Sequence, residues 1–534
     1  MDFADQVEIT QLLIQPLSSG APVAQQRAAS ALWTLVRENE SAHEAIAKAA
    51  DPAALVALLK AGIPDAVDYA LWSLSLSIEA DSQLTIAEAG GVTPLISQLS
   101  DGRPIIQQQA AEALAKLANE NAETTTAISQ AGGVPPLLAL IRDVAPSTQV
   151  SPSKSPSKGA APKPPEPKEP KEPGGGETAA AETSAVHEKA VCALANLASD
   201  PTARDEIVQA GGITQLTCLL EAEGHGTKRF AATALARLSH EHQATQTAIA
   251  ASGAIVPLVA LLDGSEGDEA QEAAAGAILA LAETVANRLI ITESGGIGFL
   301  VSMLGCNNPR ARDRAEGALV RLSIEPENRV QIIKKLVDML QDPQAGGQDQ
   351  AAAALANLAR ESEDNRKSIV DANGIEPLIE LLENPSNKAK ENAVGAIKEL
   401  CKGSKSNQLL VAKGGGIARL TGVLAGFSAN AFKESTLVSL ITLAASALQE
   451  MAKDNRHNQD AITDAGAIPP LVGMLTAPVP ELQARAAGAL ANLAHQHTEN
   501  QGAITRTGAV APLCSLIKEG SSETKVHAPL SDSV

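Results

Sequence analysis

The chain has 534 residues, of which 44% are hydrophobic, 1% aromatic and 19% charged, with a formal net charge of −20 and a pI near 5.0. An acidic balance of this size disfavours non-specific contact with DNA, RNA or anionic lipid, so no nucleic-acid partner is expected. No run of about 18 apolar residues is apparent, so no integral membrane segment is expected either. Ala and Leu supply ample material for a continuous core, and with so few aromatics the contacts between helices must be close and lined by Ala. The five cysteines (Cys192, Cys218, Cys306, Cys401, Cys514) stand apart with no close pair, which fits reduced thiols in the cytoplasm or nucleus.

The start, Met1-Asp2-Phe3, lacks a basic region followed by an apolar one and has no Gly at position 2. Neither a secretory signal nor N-myristoylation is expected from it. A unit then recurs along nearly the whole sequence: Ile-x-x-Ala-Gly-Gly-Ile/Val, a short apolar run, and Ala-Ala-x-Ala-Leu-x-x-Leu-Ala. The apolar residue after the Gly turn falls at Val92, Val134, Ile213, Ile255, Ile297, Ile375, Ile417, Ile468 and Val510. The steps 92→134, 213→255, 255→297, 375→417 and 468→510 are each 42 residues. A helical period of about 40–47 residues is the signature of a stacked solenoid, which grows by repetition and not by enlarging one core. About a dozen units fit, the first near residues 7–39 and the last both incomplete.

The unit from Ala244 to Ala286 shows the pattern most fully. A short first helix from Thr245 is predicted to break at Gly253, where the chain must turn. Ile255 to Leu262 reads as a second helix with Pro257 tolerated in its first turn. After the polar turn Asp263-Gly-Ser-Glu-Gly-Asp, residues 269–283 read as a long third helix with Ala274, Ala277, Ile278 and Leu281 on its apolar face.

Residues 1–143 therefore hold N-terminal repeats, 144–183 an insert within a repeat, 184–520 the continuing repeats, and 521–534 a truncated tail. The insert, Val144–Thr183, falls between a second and a third helix. Its Pro/Lys/Glu/Ser-rich core is expected to be disordered with polyproline II character. It holds Ser151-Pro-Ser-Lys and Ser155-Pro-Ser-Lys, which resemble proline-directed kinase sites and make Ser151 and Ser155 phosphorylation candidates. Overlapping Pro-x-x-Pro spacings from Pro162 to Pro173 suit an SH3- or WW-type contact. Further on, residues 328–363 lack the Gly-Gly turn, so first and second helices are expected to merge around Ile332-Ile-Lys-Lys-Leu. A segment beginning Gly426-Phe427 lengthens the unit at 407–455. At the end, Pro529 is expected to cut the last third helix short and leave Val510, Leu513 and Leu516 uncovered.

Ala465-Gly-Ala-Ile-Pro-Pro-Leu-Val472, with Ala486-Ala-Gly-Ala-Leu-Ala-Asn-Leu-Ala494, resembles the armadillo consensus of the β-catenin, importin-α and vacuolar-adaptor group. The resemblance implies an all-α fold, an armadillo-type α-α superhelix: a right-handed solenoid of three-helix repeats. It further implies that the third helices line a concave groove for extended peptides or partner domains. The matching slot, immediately before the last Leu of Leu-x-x-Leu, holds Lys116, Asn196, Arg237, Arg321, Asn357, Glu399, Glu450 and Asn492 in successive repeats, with apolar or hydroxyl residues elsewhere. In importin-α this ladder is Asn, with Trp four residues earlier; here those earlier slots hold residues such as Tyr69, Glu112, Cys192 and Thr233. Trp33 and Trp72 sit three positions later and read as core. The clamp for a basic localisation peptide is thus missing.

No phosphate-cradling Gly-x-x-x-x-Gly-Lys-Ser/Thr occurs, and Gly295-Gly-Ile-Gly298 is an inter-helix turn. His240-x-His242 and His495-x-His497 fall at the ends of third helices, where a cation suits the helix dipole. No catalytic constellation, cofactor site or metal site is expected. The sequence reads as a non-enzymatic scaffold or adaptor whose groove holds protein or peptide ligands, acidic ones along Lys116, Arg237 and Arg321, and which turns acidic at Glu399 and Glu450. A substrate-recruiting subunit of a ubiquitin ligase is the second reading, and a nuclear-import receptor the third.

Overall fold

The computed structural model describes residues 12–13, 16, 21–38, 51–142, 176–342, 346–427 and 435–519. The fold is all-α, with no strand among the described residues. It falls into two compact units, Met1–Ser294 and Gly295–Val534.

In the first unit the third helices of successive repeats are α1 (Pro64–Ser77), α2 (Pro104–Leu117), α3 (Gly176–Leu197), α4 (His225–Ser239) and α5 (Asp268–Leu281), each packed against the next. The repeat containing α5 follows its expected plan. Gln243–Ala251 ends at a turn where Gly253 takes φ +84°, a left-handed conformation that costs glycine little. Ile255–Ala260 runs on into a 3-10 turn, Leu261–Asp263, and α5 follows. Ala274, Ala277, Ile278 and Leu281 are fully buried, as their helical spacing predicts. The aromatics gather at the start of the unit: the Trp33 and Trp72 rings lie edge-on with centroids 6.4 Å apart, and Trp72 is buried.

In the second unit α6 (Pro309–Leu322) is followed by α7 (Pro326–Gln341), one unbroken helix where other repeats have two. The missing Gly turn explains it, as expected. Next come the third helices α8 (Gln348–Glu361), α9 (Asn387–Cys401), α10 (Ser435–Ala452) and α11 (Pro480–Ala494), again packed in sequence.

Buried amides wire the repeats together. Asn365, Asn407, Asn458 and Asn500, all on first helices, donate to Leu358 O, Leu400 O, Met451 O and Leu493 O at 2.8–3.0 Å, which satisfies the loose carbonyls at third-helix ends. The neighbouring Gln reaches into the following repeat. Gln408 Nε2 donates to Glu450 O (2.8 Å) while its Oε1 accepts from Asn455 Nδ2 (3.0 Å). Gln83 does the same with Lys116 O and Asn121 Nδ2, both at 2.8 Å. Each such Gln fixes both the end of the next third helix and the cap of the next first helix.

Four expectations need correction. The helix α3 begins at Gly176, inside the stretch 144–183 given to the insert, because Glu177 to Ala181 is Ala-rich and favours helix. The rest of the insert, with Ser151, Ser155 and the Pro-x-x-Pro run, lies outside the described residues, as do residues 428–434 and Pro529.

Second, α10 is long and apolar enough by length and composition to cross a bilayer. Its hydroxyl residues dilute the apolar run without lowering mean hydropathy enough to exclude it. Its apolar face (Leu440, Ile441, Ala444, Leu448) is buried within the array. The helix pair 243–251 and 255–263 passes the same measure only when joined, and it is bent by 90°.

Third, Leu513 and Leu516 are buried, and of the three residues expected to be uncovered only Val510 is exposed. Fourth, His240 and His495 do end their third helices, but the second histidine of each pair caps differently from expectation. His242 and His497 are N-caps of the following first helices, their Nδ1 accepting from Thr245 N and Asn500 N at 3.3 Å. A cap of this kind needs a neutral acceptor, not a cation.

Candidate functional site

The slot before the last Leu lies beside the buried stripe of its helix, at the edge facing the preceding repeat. In the first unit this placement makes a chain of bonds. Lys116 Nζ donates to Leu76 O (3.3 Å), Asn196 Nδ2 to Ala115 O (2.9 Å), and an Arg237 Nη to both Ala195 O (2.6 Å) and Asn196 Oδ1 (3.0 Å). All three side chains are half-buried, and each reaches back to the preceding repeat. Part of its donor capacity is spent inside the array.

Nearer the helix starts the same face is charged and internally paired. Lys189 meets Glu112 at 3.2 Å, and Glu266 receives both Lys228 and His225. The Lys228 contact holds the Glu266 carboxyl below the usual range, with His225 adding to it. Burial pushes the Cys192 thiol up to about 11, so it is a packed thiol and not a nucleophile.

In the second unit Asn492 repeats the pattern, donating to Gln449 O at 2.8 Å. Arg321 and Asn357 are exposed. Glu399 is buried and neutralised: Lys398 Nζ lies 3.2 Å and Arg360 Nε 3.6 Å from its Oε1. Glu399 and Glu450 share a groove of about 490 Å³ that runs along α10 between α9 and α11. Lys398, Lys402 and Arg485 face Glu399, Glu450 and Glu481 across it. The groove is therefore of mixed sign, not acidic as the slot residues alone suggested. Of these three acids, Glu450 is the one whose carboxylate no ion pair reaches among the described residues.

The slot residues missed the wall of this groove, a row of hydroxyls on α10: Ser435, Ser439, Thr442 and Ser446. Their spacing of four, three and four residues, leading to Glu450, is a helix face that was legible in the sequence. Because α10 has 18 residues, longer than its neighbours α9 and α11, this face extends past them.

Asp460, His497 and Glu499 bring three possible metal-ligand atoms within 4.8 Å of one another. The His497 ring is already committed. With Nδ1 accepting a backbone N–H, Nε2 carries the proton and donates to Asp460 Oδ1 at 2.6 Å. This arrangement is a cap with its orienting carboxylate.

The family model for the Armadillo/beta-catenin-like repeat matches residues 362–402 and 455–495. A stretch of 106 residues is 37% identical to U-box domain-containing protein 12 of Arabidopsis thaliana; it covers 20% of this chain and 16% of that relative's length. Among solved structures, an engineered protein is similar at 26% identity and a TM-score of 0.48, with 97% of each chain covered. A designed armadillo repeat protein, solved in complex with the peptide (KR)4, is similar at 22% identity and a TM-score of 0.40, covering 51% of this chain and all of that one. The chain thus carries armadillo repeats at 362–402 and 455–495, and a similar helix pattern recurs along both units around them.

Proposed function

We propose that the chain is a non-enzymatic scaffold or adaptor that holds protein or peptide ligands against the third-helix face of its repeats. The row Lys116–Asn196–Arg237 carries this reading, because side-chain donors recur at one edge of successive helices with polar capacity left over. The mixed-sign groove along α10 is the second engagement surface. In the first unit, Lys116 and Arg237 suit a ligand with acidic side chains, and Arg321 offers the same in the second. The cysteine pattern suits the cytoplasm or nucleus. On this reading the Pro-rich insert adds a contact for an SH3- or WW-type partner or a proline-directed kinase.

Amine-reactive crosslinking of the native complex tests the proposal. Crosslinks from Lys116, Lys398 and Lys402 to one partner are the expected result. Crosslinks confined to Lys367 and Lys413, on first helices, would overturn the face assignment.

A second reading, a substrate-recruiting subunit of a ubiquitin ligase, is favoured by the similarity to the U-box relative. Ubiquitin-chain formation by the purified complex, lost when the partner is removed, would establish it in place of a simple adaptor.

A further inference from the structure

One joint in the second unit is built unlike the rest. At three regular joints the residue just before the slot is buried: Ala115 is 4% exposed, Ala195 1% and Ala356 6%, while Ala236, Lys398 and Gln449 are half-buried at others. At α6 the equivalent residue, Val320, is 54% exposed. The cause is the straight helix α7. It has no Gly bend, and the two third helices on either side of it do not form the close packing that joins α8 to α9 or α10 to α11. The turn before α6 does meet the start of α8: Gly347, at φ +68°, sits so close to the Gly305 backbone that a Cβ on it would come 2.6 Å from Gly305 Cα. Towards the other ends of α6 and α8 a crevice of about 40 Å³ stays open.

Its chemistry is specific. Buried Leu304, Ile332 and Leu336 line its depth, and Val320, Ala354 and Leu358 line its walls. The volume exceeds that of a single water several-fold, so it suits the tip of one branched aliphatic side chain. Four polar side chains lie around it: Glu316, Ser323, Asn357 and Glu361. The equivalent of the Asn196-to-Ala115 bond is absent: Val320 O accepts from Ser323 Oγ at 2.8 Å, and Asn357 only accepts, from Arg360 at 3.3 Å. Its Nδ2 is left without an acceptor among the described residues. Glu316 and Glu361 are exposed, and no ion pair reaches either carboxylate among the described residues.

We infer that this open joint is an anchor site for an extended segment of a protein partner that presents one aliphatic side chain flanked by lysine or arginine. The aliphatic tip enters the crevice, the Asn357 amide donates to the carbonyl beside it, and Glu316 and Glu361 hold the flanking cations. The inference rests on the scaffold reading and sharpens it: apolar burial fixes the register and the two carboxylates select the charge. In this segment a basic ligand is preferred, opposite to the preference that Arg321 alone suggests.

The test uses the full chain with labelled Ile, Leu and Val methyl groups and three synthetic decapeptides. They carry Lys-Leu-Lys, Lys-Ser-Lys or Asp-Leu-Asp at the centre of one Gly/Ser background. The Lys-Leu-Lys peptide should shift the methyl resonances of Val320, Leu336 and Leu358. The Lys-Ser-Lys peptide should bind about tenfold more weakly, the loss expected for roughly two methylene-sized groups left unburied. Glu316→Gln with Glu361→Gln should weaken the Lys-Leu-Lys peptide a few-fold and remove the preference over Asp-Leu-Asp. Ala354→Leu, which fills the crevice, should abolish the shifts. Val320→Asp, at an exposed position that leaves folding intact, should do so independently. Equal binding of the Leu and Ser peptides, or unchanged binding to the Val320→Asp chain, overturns the anchor. A crosslinked native partner that still binds the Ala354→Leu and Val320→Asp chains also overturns it while leaving the scaffold reading in place. Absence of any partner on the third-helix face removes both.

Discussion

The joint between α3 and α4 and the joint between α6 and α8 carry the same kinds of residue and treat them differently. At the first, Arg237 reaches Ala195 O and Asn196 Oδ1, and the side chains that fill the seam are buried. At the second, Val320 stands in solvent and the Asn357 amide donates to no acceptor among the described residues. A slot residue is thus not a binding residue by identity. What its polar groups are available for depends on whether the preceding carbonyl is within reach, and that is decided by the packing of the helices around it. One straight helix, α7, changes what Asn357 is available for.

The largest expected effect separates the two joints by stability. Leu235→Ala, at a fully buried position in α4, should cost ~2–5 kcal/mol in chemical denaturation through lost transfer energy and the cavity left behind. Val320→Ala, at the open joint, should stay within about 0.5 kcal/mol, as exposed substitutions do. A comparable loss at both would mean that the α6–α8 joint closes in solution, and the contrast would be void. Next comes the amide wiring. Gln408→Ala strands Glu450 O and the Asn455 amide at a closed joint and should cost ~1–3 kcal/mol, the price of burying polar groups unpaired. A loss below the error of the measurement would show that water replaces the amide.

Much of this was legible in the sequence, and what was not has identifiable causes. The 42-residue step, the Gly turn and the i, i+3, i+4 pattern specify the repeat because each follows from local geometry; Gly253 and Leu281 behave as read. The fusion of two helices at Ile332 was equally visible, since it needs only the absence of Gly. Its consequence at Val320 was not. Whether one helix covers another depends on their separation, which no local pattern encodes. Glu399 shows the same limit: its slot is correct, but Lys398 and Arg360 cancel its charge, and Arg360 belongs to the preceding repeat. His497 shows another, because a His near a helix end can serve the helix before it or the one after. The α3 boundary was missed for a simpler reason: composition marks the Pro-rich core of the insert well, but its flanks poorly.

The charged slots give a smaller effect, read in binding. Lys116→Ala, Arg237→Ala and Arg321→Ala should each weaken an acidic-ligand partner a few-fold at most, since exposed pairs contribute only ~0.2–1 kcal/mol. The triple substitution should be roughly multiplicative, because these positions share no contacts. Arg237, which already holds Ala195 O and Asn196, should show the weakest dependence on salt, and exposed Arg321 the strongest. Titration of the crosslinked partner at two ionic strengths measures this. Unchanged affinity of the triple variant at low salt would remove these three cations from the site.

The smallest effect concerns the paired charges near the helix starts in the first unit, and it has a definite sign. Lys228, with His225, holds the Glu266 carboxyl below its ordinary value of 4.5 in the folded chain. A group depressed in this way contributes stability that is fully present above the unfolded value and is lost as pH falls through the folded one. The thermal midpoint of the parent chain should therefore decline as pH falls below about 4.5, and Glu266 should account for part of that decline. Lys228→Met removes the main partner, so the variant should start slightly lower at pH 7 and lose less on acidification, the two curves converging at low pH. The separation at neutral pH should be slight, because the pair lies near solvent and its attraction is screened. Parallel curves from pH 7 to pH 3 would mean that Lys228 does not act through Glu266, and the paired face would then carry no acid-sensitive stability of its own.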